Sequence, residues 1–181
     1  MLFYRFGSMA TTPVRIKGVP SMAIYRRILM ATDGSPGTAV TLAHAEALAA
    51  DQNAQLKLIT VVDEAIGSYM GGELAWIDPA TLRNNLLEGA RQVLERAAEH
   101  ARAAGLAVET ELIEAPEGHV GRAIITAAND WPADLLVVST HGRHGLTRLV
   151  LGSMAETLVR WGNLPILVVP AGDAGTGKAA P

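Results

Sequence analysis

Cysteine is absent from the 181 residues. That removes disulfides, thiol nucleophiles and zinc-thiolate sites together, and it fits a cytoplasmic protein. A basic excess is also missing, since the formal net charge is -3. A dedicated nucleic-acid binder usually shows a basic face, so no nucleic-acid partner is expected. No apolar run reaches the length of a membrane span, and no membrane association is expected. The first 21 residues lack the continuous apolar centre of a secretory signal, although Arg5, Arg15 and Lys17 lie among short apolar patches. Met9 and Met22 stand just upstream of the first clear strand. Either translation begins at Met22 or the stretch is a loose extension, so residues 1–23 are set aside as disordered or mis-assigned. At the other end, "AGDAGTGKAAP" (171–181) is rich in Gly, Ala and Pro and reads as a disordered tail.

Between these ends, 24–170 reads as one domain. Apolar residues make up 49% of the chain, enough for a sizeable core. "RRILMAT" (Arg26–Thr32) is a buried strand closed by the turn cluster "DGSPG". Ser35 then Pro36 supplies an N-cap and an N1 proline for a helix through Ala50. "QLKLITVV" (Gln55–Val62) is the second strand. Asp78-Pro79 opens the longest helix, with a stripe of Leu82, Leu86, Ala90, Val93, Leu94, Ala97 and Ala101. Gly105 ends it as a C′ glycine. "LAVETELI" (Leu106–Ile113) alternates apolar and polar residues, as an edge strand would. Pro116 and Glu117 begin a short helix holding Val120, Ile124 and Ala127. "ADLLVVS" (Ala133–Ser139) is apolar on both faces and reads as central. "PILVVP" (Pro165–Pro170) is the last strand. This alternation predicts an α/β fold, a single doubly wound domain with a five-stranded parallel sheet and helices on both faces, for which the order 3-2-1-4-5 is expected.

In such sheets ligands sit beyond the carboxyl ends of the strands, where the strand order reverses. Two stretches there carry chemistry. Asp33, in "ATDGS", is either an acceptor for a ribose hydroxyl or the start of a turn before a helix. "STHGRHGLTRLVLGSMAE" (Ser139–Glu156) is a strand-to-helix crossing rich in glycine and positive charge. Gly142 and Gly145 can each supply a left-handed turn. Ser153 and Glu156 form a capping box, and a helix N-terminus left partly open also takes a phosphate on its N–H groups. Arg143 and Arg148 read as clamps for that phosphate or as solvated surface residues. His141 and His144 have a spacing that suits a metal on a helix. Their segment reads as a loop without a nearby carboxylate, and no metal site is expected. "GDAGTGKA" (172–179) matches most of a P-loop, but Ala179 stands where Ser or Thr must hold magnesium, and no helix follows. No G-x-S-x-G elbow supports Ser153 as a nucleophile.

At these residues the chain resembles the universal stress protein family, over about Tyr25 to Pro170. The resemblance rests on "RRILMATDGS", "ITVVDE", "ADLLVVSTHGRHGLTRLVLGSMAETLVRWGNLPILVVP" and the element order. The ATP-binding branch carries G-x2-G-x9-G-(S/T) after the fourth strand, and Ser139-x2-Gly142-x9-Gly152-Ser153 keeps that spacing with serine for the first glycine. The resemblance implies ATP, with Mg2+, as the ligand. It places Asp33 near the ribose and phosphates, Val61 with its backbone on the adenine, and Ala31 and Val138 along the base and sugar. Gly142, Gly152 and Ser153 would hold the phosphates, with Ser139 at the first motif position; Arg143, next to Gly142, is counted with them as a cofactor-binding candidate on the reading above. A positive φ at Ser139 would cost about 1–2 kcal/mol; a negative φ would make serine harmless there.

The resemblance implies an ATP-binding regulatory module in stress response, with at most slow hydrolysis. The chain shows a cradle and one acid but no base or Walker motif beside them. Two alternatives stay open: a stress-linked interaction protein with an empty pocket, and a nucleotide-using transferase. A homodimer through Pro165 to Pro170 is expected, because the last strand is apolar and reads as an edge, and relatives commonly pair there. A charge at Leu167 or Val169 is expected to disrupt it. Gly67–Trp76, with Gly71 and Gly72, reads as a mobile segment, a lid or a partner surface.

Overall fold

The computed structural model describes residues 23–35, 37–63, 78–116, 118–140 and 153–170. Among these residues, five strands and four helices alternate. They are β1 (Arg27–Ala31), α1 (Thr38–Gln52), β2 (Gln55–Asp63), α2 (Pro79–Ala103), β3 (Val108–Ala115), α3 (Val120–Asp130), β4 (Leu135–Ser139), α4 (Ser153–Trp161) and β5 (Ile166–Val169). All strand pairs are parallel, in the order β3-β2-β1-β4-β5. The expected fold class and strand order are therefore present.

The apolar runs are buried because the three inner strands, β2, β1 and β4, are covered on both faces. Ile28 and Met30 of β1 join Leu56, Leu58, Leu135 and Val137 under α1 and α2, which supply Leu42, Ala45, Leu94 and Ala97. Leu29 faces the other way, with Ile59, Leu136 and Val138, under Ile124 and Ala127 of α3 and Leu158 of α4. The period of two along each strand sorts side chains between these two layers. At the amino edge of the sheet, the Asp134 carboxylate accepts from the main-chain N–H groups of Arg26 (2.8 Å) and Arg27 (3.1 Å), tying the start of β1 to β4.

Helix ends follow local chemistry in some places and not in others. The Asp78 side chain accepts from the Thr81 N–H at 2.9 Å, and Pro79 takes the first turn of α2. After that helix, Gly105 has φ +83°, as its C′ assignment required. Helix α1 departs from expectation. Its N-cap is Gly37, with no side-chain cap, and it runs on to Gln52. Ser35 does not cap it, because its carbonyl closes a turn by accepting from Thr38 N–H at 2.9 Å, which delays the helix. Helix α3 likewise starts at Val120, with His119 in the N-cap position and no side-chain cap. Pro116 instead closes a turn through its carbonyl, which accepts from His119 N–H at 3.0 Å.

Strand β5 lies at one edge and β3 at the other. The β3 edge carries Glu109, Glu111 and Glu114, with Glu111 paired to Lys57 at 2.7 Å and Glu114 paired to Arg83. The β5 edge, Ile166–Val169, has no charged residue. Its side chains are not free, however. Val169 is 2% exposed, and Leu167 packs on the core. A charge at either would disturb the fold, so these two positions cannot report on pairing alone. Expectations for residues 1–22, 64–77 and 171–181 fall outside the described residues.

Candidate nucleotide site at the carboxyl ends of the strands

The five strands do not end level. Ala31, the last residue of β1, is paired with Ile59. Strands β2 and β3 continue together to the pair Asp63–Ala115. Four residues past Ile59, at a rise of about 3.3 Å each, make an overhang of about 13 Å. On the other side, Met30 pairs with Val137, which sets Ala31 beside Val138 one residue on, and β4 and β5 stop at the pair Ser139–Val169. The result is a recess above the ends of β1 and β4, walled on one side by the β2 overhang. It lies where the strand order reverses.

The overhang exposes main chain. In β2, Gln55 N–H donates to Arg26 O and Ile59 O accepts from Thr32 N–H, both at 2.9 Å, so alternate residues of this strand point toward β1. Val61 follows in the same alternation, beyond the last residue of β1. By that alternation its N–H and C=O face the recess, past the end of β1. A half-buried main-chain donor and acceptor side by side suit the edge of a flat heterocycle that offers one of each.

Asp33 follows β1 and is half-buried. Its Oδ1 accepts from Ser35 N–H at 2.9 Å, so the turn-forming role is present. A carboxylate accepts up to about four hydrogen bonds, so a turn-forming role and a ligand-binding role do not exclude each other. The loop is braced from α1 by a hydroxyl pair, Thr32 Oγ1 and Thr38 Oγ1, at 3.0 Å. Ser35 Oγ is buried without a partner among the described residues. Reading Ser35 as a helix cap hid this. The signal available in the sequence was its place two residues after Asp33 in a turn cluster.

Ala31 and Val61 both pack, partly buried, on the α3 and α4 layer. Val138 belongs to the same layer but is fully buried, so its side chain is part of the floor. A concavity of about 410 Å³ lies elsewhere, along α3 and the β3 edge, lined by residues including Glu111, Ile113, His119, Arg122 and Asp130. It includes none of the recess residues. Among the described residues no group of three His, Cys, Asp or Glu side chains is placed to hold a metal ion, and no helix is long and apolar enough to cross a membrane.

A model of the universal stress protein family matches residues 24–170. The chain belongs to that family. It is 31% identical over 146 residues to a universal stress protein of Methanocaldococcus jannaschii, covering 81% of this chain and 82% of the relative. It is similar to the crystal structure of a universal stress protein family member from Burkholderia pseudomallei, with TM-score 0.63 and 32% identity over 81% of this chain and 96% of that one. A universal stress protein crystallised in complex with cAMP shares the fold, with TM-score 0.57 and 24% identity over 82% of this chain and 98% of that one.

As a universal stress protein, this chain departs from the glycine motif at Ser139. That residue ends β4, and the one non-glycine residue with positive φ among those described is Asn53. Serine therefore carries no left-handed strain at this position. The remaining motif members are not all within view. Gly142, Arg143 and Gly152, with His141 and His144, lie outside the described residues. Ser153 opens α4, but its side chain lies outside them too. Of the predicted set, the structure brings together Ala31, Asp33, Val61, Val138 and Ser139 at one end of the sheet.

Proposed function

We propose that this universal stress protein is a regulatory module that binds ATP with Mg2+ in the recess above β1 and β4, and that it hydrolyses ATP slowly at most. The observation that carries this reading is the Val61 main chain, whose donor and acceptor face the recess past the end of β1. In this assignment Val61 meets the adenine edge and Asp33 takes a ribose hydroxyl. Ala31 borders the sugar, and Val138 forms the floor. Ser139, Gly142, Arg143, Gly152 and Ser153 hold the phosphates, helped by the N-terminus of α4. A protein of the same fold holds cAMP, which carries the same base. The reading without nucleotide rested on Ser139, and the absence of positive φ there removes the penalty that favoured it.

The direct test is to purify the protein without added nucleotide, denature it, and separate the supernatant by ion exchange with detection at 260 nm. Near-stoichiometric ATP supports the reading. If the protein emerges empty, titration with ATP and Mg2+ follows, and failure to bind there refutes it. A turnover above about 1 s⁻¹ would favour a transferase or another enzyme instead.

The protein is further proposed to be a cytoplasmic homodimer that pairs through β5. Leu136 N–H donates to Pro165 O and Thr140 N–H donates to Val169 O, so odd-numbered residues of this strand point to β4. Ile166 and Val168 then direct their N–H and C=O groups outward along an uncharged edge, whereas β3 is guarded by carboxylates.

A further inference from the structure

The Val93 side chain of helix α2 reaches the Asp33 loop. Gly34 has φ +74°, and a Cβ built on it would lie 2.6 Å from Val93 Cγ2 and 3.0 Å from Val93 Cγ1. Both valine methyls therefore press on the main chain of the residue next to Asp33. The loop is held from the other direction by hydrogen bonds. Thr32 and Thr38 hydroxyls meet at 3.0 Å, and Thr38 N–H donates to Ser35 O at 2.9 Å. One flank is thus polar and anchored on α1, while the other is apolar and anchored on α2. Valine in a helix has one strongly preferred rotamer, so the apolar flank is stiff. Directly after Val93, Leu94, Ala97, Ala98 and Ala101 fix α2 to the core.

We propose that Val93 is a positioning residue that couples α2 to nucleotide affinity by setting where Gly34, and with it the Asp33 carboxylate, stands. This rests on the nucleotide reading above. Coupling between sites is reciprocal. A nucleotide that fixes Asp33 therefore holds Gly34 against Val93 and steadies the middle of α2. Anything that shifts α2 changes affinity in turn. Val93 touches no ligand in this arrangement and acts only through the loop.

The test uses the full chain. ATP with Mg2+ is titrated calorimetrically into the wild type, Val93→Ala, Val93→Ile and a control, Leu87→Val. The control trims a buried side chain of the same helix that is not among the Gly34 contacts. Amide exchange over 33–38 and 90–96 is followed with and without nucleotide. Val93→Ala is expected to weaken binding about fivefold, at the low end of typical coupling. Val93→Ile should restore affinity, and Leu87→Val should leave it unchanged. Nucleotide should protect 90–96 in the wild type, and that protection should be lost in Val93→Ala. If the wild type binds ATP but Val93→Ala binds equally well with the same protection, the inference is wrong and the nucleotide reading stands. Weakening by Leu87→Val as large as by Val93→Ala would also overturn it, since general softening of α2 would explain both. A wild type that binds no nucleotide refutes the underlying reading itself.

Discussion

Two glycines with similar positive φ allow strain and crowding to be measured apart. Gly105 has φ +83° and no atom within 4 Å of a built Cβ, whereas Gly34 has φ +74° and meets Val93 at 2.6 Å. Gly105→Ala should therefore cost only the left-handed backbone term, about 1–2 kcal/mol. Gly34→Ala carries that term and an overpacking term of about 1–3 kcal/mol, because the valine methyls cannot rotate away. Its total is about 2–5 kcal/mol. In a chain of this length each kcal/mol lowers the melting temperature by about 2–4 °C. Urea unfolding of the two single variants, of Val93→Ala, and of the Gly34→Ala/Val93→Ala double variant gives the numbers. Removing the valine methyls opens the space, so the double variant should recover the overpacking term, a coupling of about 1–3 kcal/mol. Equal losses at Gly34 and Gly105, or a strictly additive double variant, would refute the reasoning.

Asp33→Ala should weaken ATP binding about 10- to 100-fold by calorimetry, the range of a lost charged hydrogen bond, with little change in circular dichroism. Unaltered affinity would place the site elsewhere. Ser139→Gly should leave affinity within about threefold of wild type, because serine is unstrained there and the substitution relieves nothing; a tenfold gain would contradict the backbone reading. Val168→Pro removes an outward-facing N–H from the edge of β5 while sparing the bonds to β4. It should yield a folded monomer by light scattering, and a dimer that persists would count against pairing through this strand. Asp134→Ala removes the carboxylate acceptor of two main-chain N–H groups, those of Arg26 and Arg27. It should lower unfolding stability by about 2 kcal/mol, and no change in the urea midpoint would show those bonds to be negligible.

Much of the site was legible from residue order alone, because the alternation of elements dictates a parallel sheet and the turn cluster after β1 puts Asp33 at its carboxyl end. Val61 could be named from family likeness, but its openness could not be read. That depends on β2 outrunning β1, and strand ends are set by pairing between segments distant in the chain. Val138 was expected along a pocket, and it lies in the floor because two helices close over its face. Ser35 looked like a cap because serine before proline commonly is one. A turn through its carbonyl won instead and moved the start of α1 to Thr38.

Residue order alone sets the element order, the two-layer sorting of side chains, the Asp78 cap and the Gly105 stop, since each depends on periodicity or chemistry within a few residues. The overhang of β2 and β3, the negative φ of Ser139 and the contact of Val93 with Gly34 come from the packed fold. These join residues up to 59 positions apart in the chain, Gly34 and Val93, and are settled by register and packing between elements rather than by any local preference.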